Sequence, residues 1–343
     1  MPAVASPVDV GAELPAAIDP FALSLNENPF RPLPAVRSAL IRSIDAANRY
    51  PEFLPDRLRW LIADHIGVDS RQVVLGAGAT GVMMQVFQSL AHPSDVVVMT
   101  SPTFDGYPIC AQIAQLSTVI VPLDKHGHHD LDAMADAATE ANLVVLCRPH
   151  NPTGTVDSVA EVTRFLRRVP PDTIVVLDEA YVEFVASEHR IDVAEVVARR
   201  PNVVVLRTFS KAYGLAGLRI GYAVASAQPA AMLWTNQLPF GTAITSLPAV
   251  TASYAAEDQL RQRIQLITAE RRYLSRRLRA LGVYSTDAHA NFVYLPPGGH
   301  CWPEVFGDTG LRVRHYADGG ARITVGSRAS TTAVLSAVSN SLR

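Results

Sequence analysis

Six short, almost wholly apolar runs recur along the first two-thirds of this chain, at residues 72–75, 96–99, 118–121, 143–146, 173–177 and 203–206. A strand with one wet face alternates apolar and polar residues. A run that is apolar throughout is instead buried on both faces, as in a mainly parallel sheet covered by helices. Parallel neighbours need long crossovers, and the stretches between these runs have the spacing of helices. The pattern predicts an α/β fold with helices on both sides of the sheet. Helical spacing also covers 34–40 and 56–66, ahead of the sheet. Near Thr242 the pattern changes to one or two long helices over 249–281, short strands at 291–295, 311–314 and 322–325, and a closing helix from about Thr331. The expected organisation is an amino-terminal arm and hinge (1–32), a large domain (33–241) and a smaller α+β domain (242–343).

Composition excludes several classes. Hydrophobic residues make up 48% of 343, enough for a large core, and the net charge of −2 argues against a nucleic-acid partner. The longest pure apolar runs are about five residues, as at 143–147, too short for a bilayer. No Lys or Arg precedes Arg31, so a secretory signal is not expected. Cys110, Cys147 and Cys301 are widely spaced and form no CxxC, which predicts a reducing, cytoplasmic setting. The 30 basic residues include only two lysines, Lys125 and Lys211. Chemistry that needs an amine has two places to find one.

Lys211 follows the run at 203–206 within Thr208-Phe209-Ser210-Lys211-Ala212-Tyr213-Gly214 and precedes Arg219. Ligands of open α/β sheets bind at the carboxyl ends of strands. Hydroxyls, an arginine and glycines around one lysine at such an end suggest an anion cradle beside an amine. Asp178, in Asp178-Glu179-Ala180-Tyr181, ends the run at 173–177. A carboxylate there is costly without a partner, and a protonated heterocyclic nitrogen is one such partner. Asn151-Pro152-Thr153-Gly154 suits a tight turn, although Asn151 also has an amide to offer a ligand.

Gly76-Ala77-Gly78-Ala79-Thr80-Gly81 fits the dinucleotide glycine pattern, yet the next strand ends Met99-Thr100-Ser101 without the acid that pattern requires. What remains is a helix start whose N–H groups suit a phosphate. His126, His128 and His129 lie in a polar loop with Lys125 and no distant ligand pair. They read as solvated, and no metal site is expected.

In this order the motifs resemble those of the fold-type I pyridoxal-phosphate (PLP) aminotransferases, from the Gly-rich helix start through Phe104, Asn151–Gly154, Asp178–Tyr181 and Ser210–Tyr222 to a late Arg322. Leu25-Asn26-Glu27-Asn28-Pro29-Phe30 and Arg49-Tyr50-Pro51 are similar to the histidinol-phosphate aminotransferase family, most of all its aromatic, phenylalanine-type branch. The resemblance implies a homodimer with active sites shared between subunits, a large PLP-binding domain and an aminotransferase activity. It implies that Lys211 binds the cofactor's aldehyde and then moves a proton, and that Asp178 pairs with the ring nitrogen. By the same resemblance Asn151 and Tyr181 bond the phenolic oxygen, and Phe104 stacks on the ring. Backbone N–H groups of Ala79 and Thr80, the hydroxyls of Thr208 and Ser210, and Arg219 hold the phosphate, with Tyr50 arriving from the other subunit. Arg322 grips the substrate carboxylate, and Asn28 is a second substrate contact.

Two departures bear on the substrate. Thr80-Gly81 replaces an acid or amide followed by Glu, and His150 precedes Asn151 where Asn is common. Both point away from histidinol phosphate, whose extra phosphate needs further cations; Arg314 is the one the sequence offers. Phenylalanine needs an apolar slot, for which Phe21, Phe30 and Tyr107 are available, each equally suited to a core role. The expected reaction is transfer of an amino group between an aromatic L-amino acid and a 2-oxo acid. The alternative is a histidinol-phosphate aminotransferase.

Overall fold

The computed structural model describes residues 15–342, so residues 1–14 of the expected arm lie outside the described chain. All six apolar runs form strands: β1 (Val73–Ala77), β2 (Val96–Ser101), β3 (Ser117–Pro122), β4 (Leu143–Cys147), β5 (Ile174–Asp178) and β6 (Val203–Thr208). A seventh, β7 (Ile220–Ala225), was not anticipated. It lies between β1 and β6 in the order β1-β7-β6-β5-β4-β2-β3 and is antiparallel to both neighbours, whereas β2 to β6 pair in parallel.

Burial on both faces accounts for the unbroken apolar runs. Val203 and Val205 pack with Val175 and Leu177 on one face, while Val204 and Leu206 pack with Val176 and Val145 on the other. Each such side chain contributes about 1.5–3 kcal/mol on leaving water. The edge strand β3 departs from the expectation, because Val119 and Ile120 remain 40% and 48% exposed.

The later helical region is two helices, Ser246–Ala255 and Glu257–Ala280. A second, antiparallel sheet has the order β8-β10-β9, formed by β8 (Phe292–Leu295), β9 (Arg314–His315) and β10 (Ala321–Thr324). The strand expected at 311–314 is shorter and later, since Arg312 is engaged by the amino-terminal segment. Its N–H donates to Phe21 O, and its carbonyl accepts from Leu23 N. Leu23 thereby enters a core made by Leu274, Leu278, Val293, Trp302 and Val338. The closing helix runs Arg328–Ser341, starting earlier than expected because the Ser327 hydroxyl caps it by accepting from Ser330 N. No described helix is long and apolar enough to cross a membrane.

Candidate active site

The carboxyl ends of β4, β5 and β6 bring Asn151, Asp178 and Lys211 to one side of the large sheet. The amino-terminal segment and β10 close over them. Lys211 is half-buried, and its Nζ donates to the carbonyls of Leu25 at 3.0 Å and Asn26 at 3.3 Å. Burial, with the Arg322 charge adding to it, pushes this amine down to about 8. A primary amine so tuned has a substantial neutral fraction near neutral pH, which a nucleophile or proton carrier requires.

Asp178 is buried at the last position of β5. Its Oδ2 accepts from the Tyr107 hydroxyl at 2.6 Å and its Oδ1 from Ala180 N at 2.9 Å. Burial raises its pKa despite those donors. No Lys, Arg or His nitrogen lies within 4.0 Å of this carboxylate among the described residues. A protonated ring nitrogen would supply the missing charge.

Arg322, on β10, is equally buried. Its Nη1 donates to Asn151 Oδ1 and to the Tyr316 hydroxyl, and its Nη2 to Ser24 O, while Nε is buried without a partner. An unsatisfied guanidinium N–H in the interior costs free energy until an acceptor reaches it. A carboxylate is the matching acceptor.

The residues expected to hold a phosphate lie around the start of the helix Gly78–Leu90, which has no side-chain cap. Arg219, in the left-handed region at φ 53°, donates to Ala77 O and Ala216 O. Its guanidinium lies so close to Gly78 that a Cβ there would come within 2.2 Å of Nη2. Gly221 on β7 passes as closely beneath the helix start, where a Cβ would meet Ala79 N at 2.4 Å. Thr208 and Ser210 are joined hydroxyl to hydroxyl at 2.9 Å. Exposed N–H groups, two hydroxyls and an arginine form a site suited to an anion.

Tyr181 is buried, and burial pushes its phenol up; its oxygen accepts from Asn26 Nδ2 at 2.9 Å. Phe104 stands edge-on to Tyr107, over Gly106, where any Cβ would strike its ring. Asn28 donates to the carbonyls of Lys211 and Ala212, so its amide is spent holding the lysine loop. Tyr50 is not brought to this cluster. It is 82% exposed and packs on Phe240.

Several roles were not legible beforehand. Asn26 is buried and links the amino-terminal segment to Tyr181 and Thr324. Tyr107 takes the core alternative to a substrate slot, directing its hydroxyl at Asp178. Phe21 is 44% exposed, and Phe30 packs under Arg263. Arg314 is paired with Asp105 at 2.5 Å. Glu179 forms a buried ion pair with Arg207 at 2.8 Å.

The histidine loop corrects the expectation of solvation. His129 is buried, 2.7 Å from Asp157, and lies edge-on to His150. Burial works against the Asp157 charge, yet His129 and His128 hold its pKa well below the usual range. His150, itself hydrogen-bonded to Thr100 and Thr153, is thus part of a buried brace behind Asn151. Lys125 stays exposed in that loop. Among the described residues no group of three or more His, Cys, Asp or Glu could hold a metal ion.

Comparison with known proteins agrees with this geometry. The family model described as aminotransferase class I and II matches residues 18–338. A protein of Streptomyces coelicolor named aromatic amino acid aminotransferase is 43% identical, over 91% of this chain and 89% of its own. One of the same name from Cutibacterium acnes is 41% identical, over 94% and 92%. Among solved structures, the histidinol-phosphate aminotransferase of Sinorhizobium meliloti in complex with pyridoxal-5'-phosphate superposes with a TM-score of 0.88 at 26% identity, covering 94% of this chain and 92% of that one.

Proposed function

The chain belongs to the class I and II aminotransferases, and from that premise we propose that it exchanges an amino group between an aromatic, phenylalanine-type L-amino acid and a 2-oxo acid with pyridoxal 5'-phosphate as cofactor. The observation that carries this reading is one cluster of three complementary groups. It contains an amine lowered to about 8, a buried carboxylate without a cation, and a buried guanidinium with an orphaned Nε. When bound, the cofactor supplies an aldehyde that condenses with amines and a ring that accepts the electron pair released at the substrate Cα.

Each residue then has a stated task. Lys211 Nζ would hold the cofactor's aldehyde carbon and, as a free amine, would carry the proton taken from the substrate Cα. Asp178, steadied by Tyr107 and Ala180 N, keeps the ring nitrogen protonated. Asn151 and Tyr181 bond the ring oxygen, and Phe104 covers the ring. Ala79 and Thr80 N–H groups, Thr208, Ser210 and Arg219 bind the phosphate. Arg322 orients the substrate carboxylate with the donors it can turn from Ser24 O and from its orphaned Nε. Asn28 acts through the lysine loop that it fastens.

Arg314 favours the aromatic substrate over histidinol phosphate. The extra cation that a second phosphate would need is already paired with Asp105. The relatives named aromatic amino acid aminotransferase, at 43% and 41% identity, support the same choice.

The proposal extends to a cytoplasmic homodimer built from domains 33–241 and 242–343, the arm 1–32 joining them. Exposed Tyr50, Phe53, Leu238 and Phe240 form an apolar patch suited to a second copy, which would deliver Tyr50 to the neighbouring phosphate. Free Cys110, Cys147 and Cys301 fit a reducing compartment.

The test is single-turnover amino transfer to the bound cofactor from phenylalanine, tyrosine, histidinol phosphate and aspartate in parallel. Phenylalanine is expected to lead. A kcat/KM for histidinol phosphate about tenfold or more above it, worth about 1.4 kcal/mol, would overturn the aromatic assignment.

A further inference from the structure

Away from the lysine, a cavity of about 550 Å³ opens between residues 184–189 and 271–289. That is within the range of roughly 300–1,000 Å³ usual for small-molecule sites. Arg272, Arg276 and Arg279 fall at positions i, i+4 and i+7 of the helix Glu257–Ala280 and so line the cavity from one face. Arg271 joins them from the adjacent row.

Several arginines elsewhere on the surface are paired with acids. Arg168 pairs with Asp132 and Asp136, Arg261 with Asp258, and Arg328 with Glu270. None of the four cavity arginines has a carboxylate oxygen within 4.0 Å among the described residues. Two acids line the same cavity, and Asp287 acts on Arg271, yet the lining keeps an excess of positive charge. Asp287 turns outward, its side chain 92% exposed and 3.5 Å from His289, and Glu188 accepts from the Ser187 hydroxyl.

Arg271 points most directly to a ligand. The residue is 5% exposed and lines the cavity, yet among the described residues its single hydrogen bond is from Nη1 to Ala290 O. Its Nε and Nη2 carry no hydrogen bond among the described residues and remain accessible, so an anion that enters the cavity can reach them. Arginine forks match phosphate oxygens in geometry as well as charge. Phe184 and Tyr284 add ring surface to the lining.

We propose that this cavity is a second anion site, separate from the cofactor cradle at Arg219, which takes a phosphorylated small molecule with its phosphate on the arginines and its organic part against Phe184 and Tyr284. The site bridges the elements of the two sheets. Its far wall is tied to the turn after Asn151, through Thr286 Oγ1 to Thr153 O at 2.6 Å and His289 N to Gly154 O at 2.7 Å. Binding there does not depend on the identity of the amino donor, so its failure leaves the proposed reaction untouched.

The experiment is calorimetric titration of the cofactor-loaded protein, whose own phosphate site is then filled, at an ionic strength fixed with chloride. Phenyl phosphate, pyrophosphate and citrate are the probes. Saturable binding of phenyl phosphate is expected, weakened about tenfold or more in the exposed double variant Arg272→Ala/Arg276→Ala, a loss of about 1.4 kcal/mol. The variant's cofactor absorbance and anion-free transfer rate should be unchanged. Tyr284→Ala should weaken phenyl phosphate more than pyrophosphate. Absence of saturable heat, equal affinity in the double variant, or tighter binding of citrate than of either phosphate would overturn the proposal.

Discussion

Replacing Tyr107 with Phe removes one hydroxyl from a buried pair and leaves the ring in place. That hydroxyl lies 2.6 Å from Asp178 Oδ2. Hydrogen bonds to charged groups contribute about 1.5–3 kcal/mol. Losing one raises the carboxyl further, because the Tyr107 hydroxyl favours its charged form. In the unfolded chain Asp178 titrates near 3.8, and burial already holds its folded value above that. Folding therefore loses stability as pH rises from the unfolded value through the folded one. Without the Tyr107 donor this loss continues to higher pH. Urea melts of the cofactor-free protein should show Tyr107→Phe destabilised by about 1.5–3 kcal/mol at neutral pH, and by clearly less at about pH 3, where the carboxyl is mostly protonated in both states. In the cofactor-loaded enzyme, a carboxylate less able to hold its charge grips the ring proton more weakly. Transfer from phenylalanine should then fall by up to about tenfold, or about 1.4 kcal/mol. Equal destabilisation at both pH values would refute the reasoning, because the hydroxyl would then act independently of the Asp178 charge.

Capture of pyridoxal phosphate by the cofactor-free protein, followed by absorbance, should rise with pH around a midpoint of about 8, since the neutral Lys211 amine is the attacking form. Arg322→Gln should move that midpoint upward by removing a positive neighbour. Borohydride should fix the cofactor to Lys211, and label on Lys125 or a midpoint near that of a free lysine would contradict the assignment. Tyr50, exposed and packed on Phe240, leads to a complementation test of the proposed homodimer. Mixing inactive Lys211→Ala with Tyr50→Ala protein should restore part of the activity through heterodimers carrying one intact site, whereas an active monomer in sedimentation would exclude shared sites.

The two-faced sheet was legible because burial on both sides imposes an unbroken apolar run that needs no knowledge of neighbours. Asn151, Asp178 and Lys211 were legible for a related reason. Each follows such a run within five residues, so chain continuity alone delivers it near a strand end. The lysine count narrowed the amine to Lys125 or Lys211. Contacts between residues distant in sequence carry no such local signal. Tyr107 meets Asp178 across 71 residues, Asn26 meets Tyr181 across 155, and Arg322 meets Asn151 across 171. β7 enters the sheet antiparallel between β1 and β6, a matter of topology rather than composition. The His129–Asp157 pair looked like a solvated loop because its partner lies 28 residues away. The sequence by itself determined which groups stand at the strand ends. Only the tertiary structure decided how they are charged and braced, because burial and the Arg322 charge that lower Lys211 exist only once β10 and the amino-terminal segment have closed over the sheet.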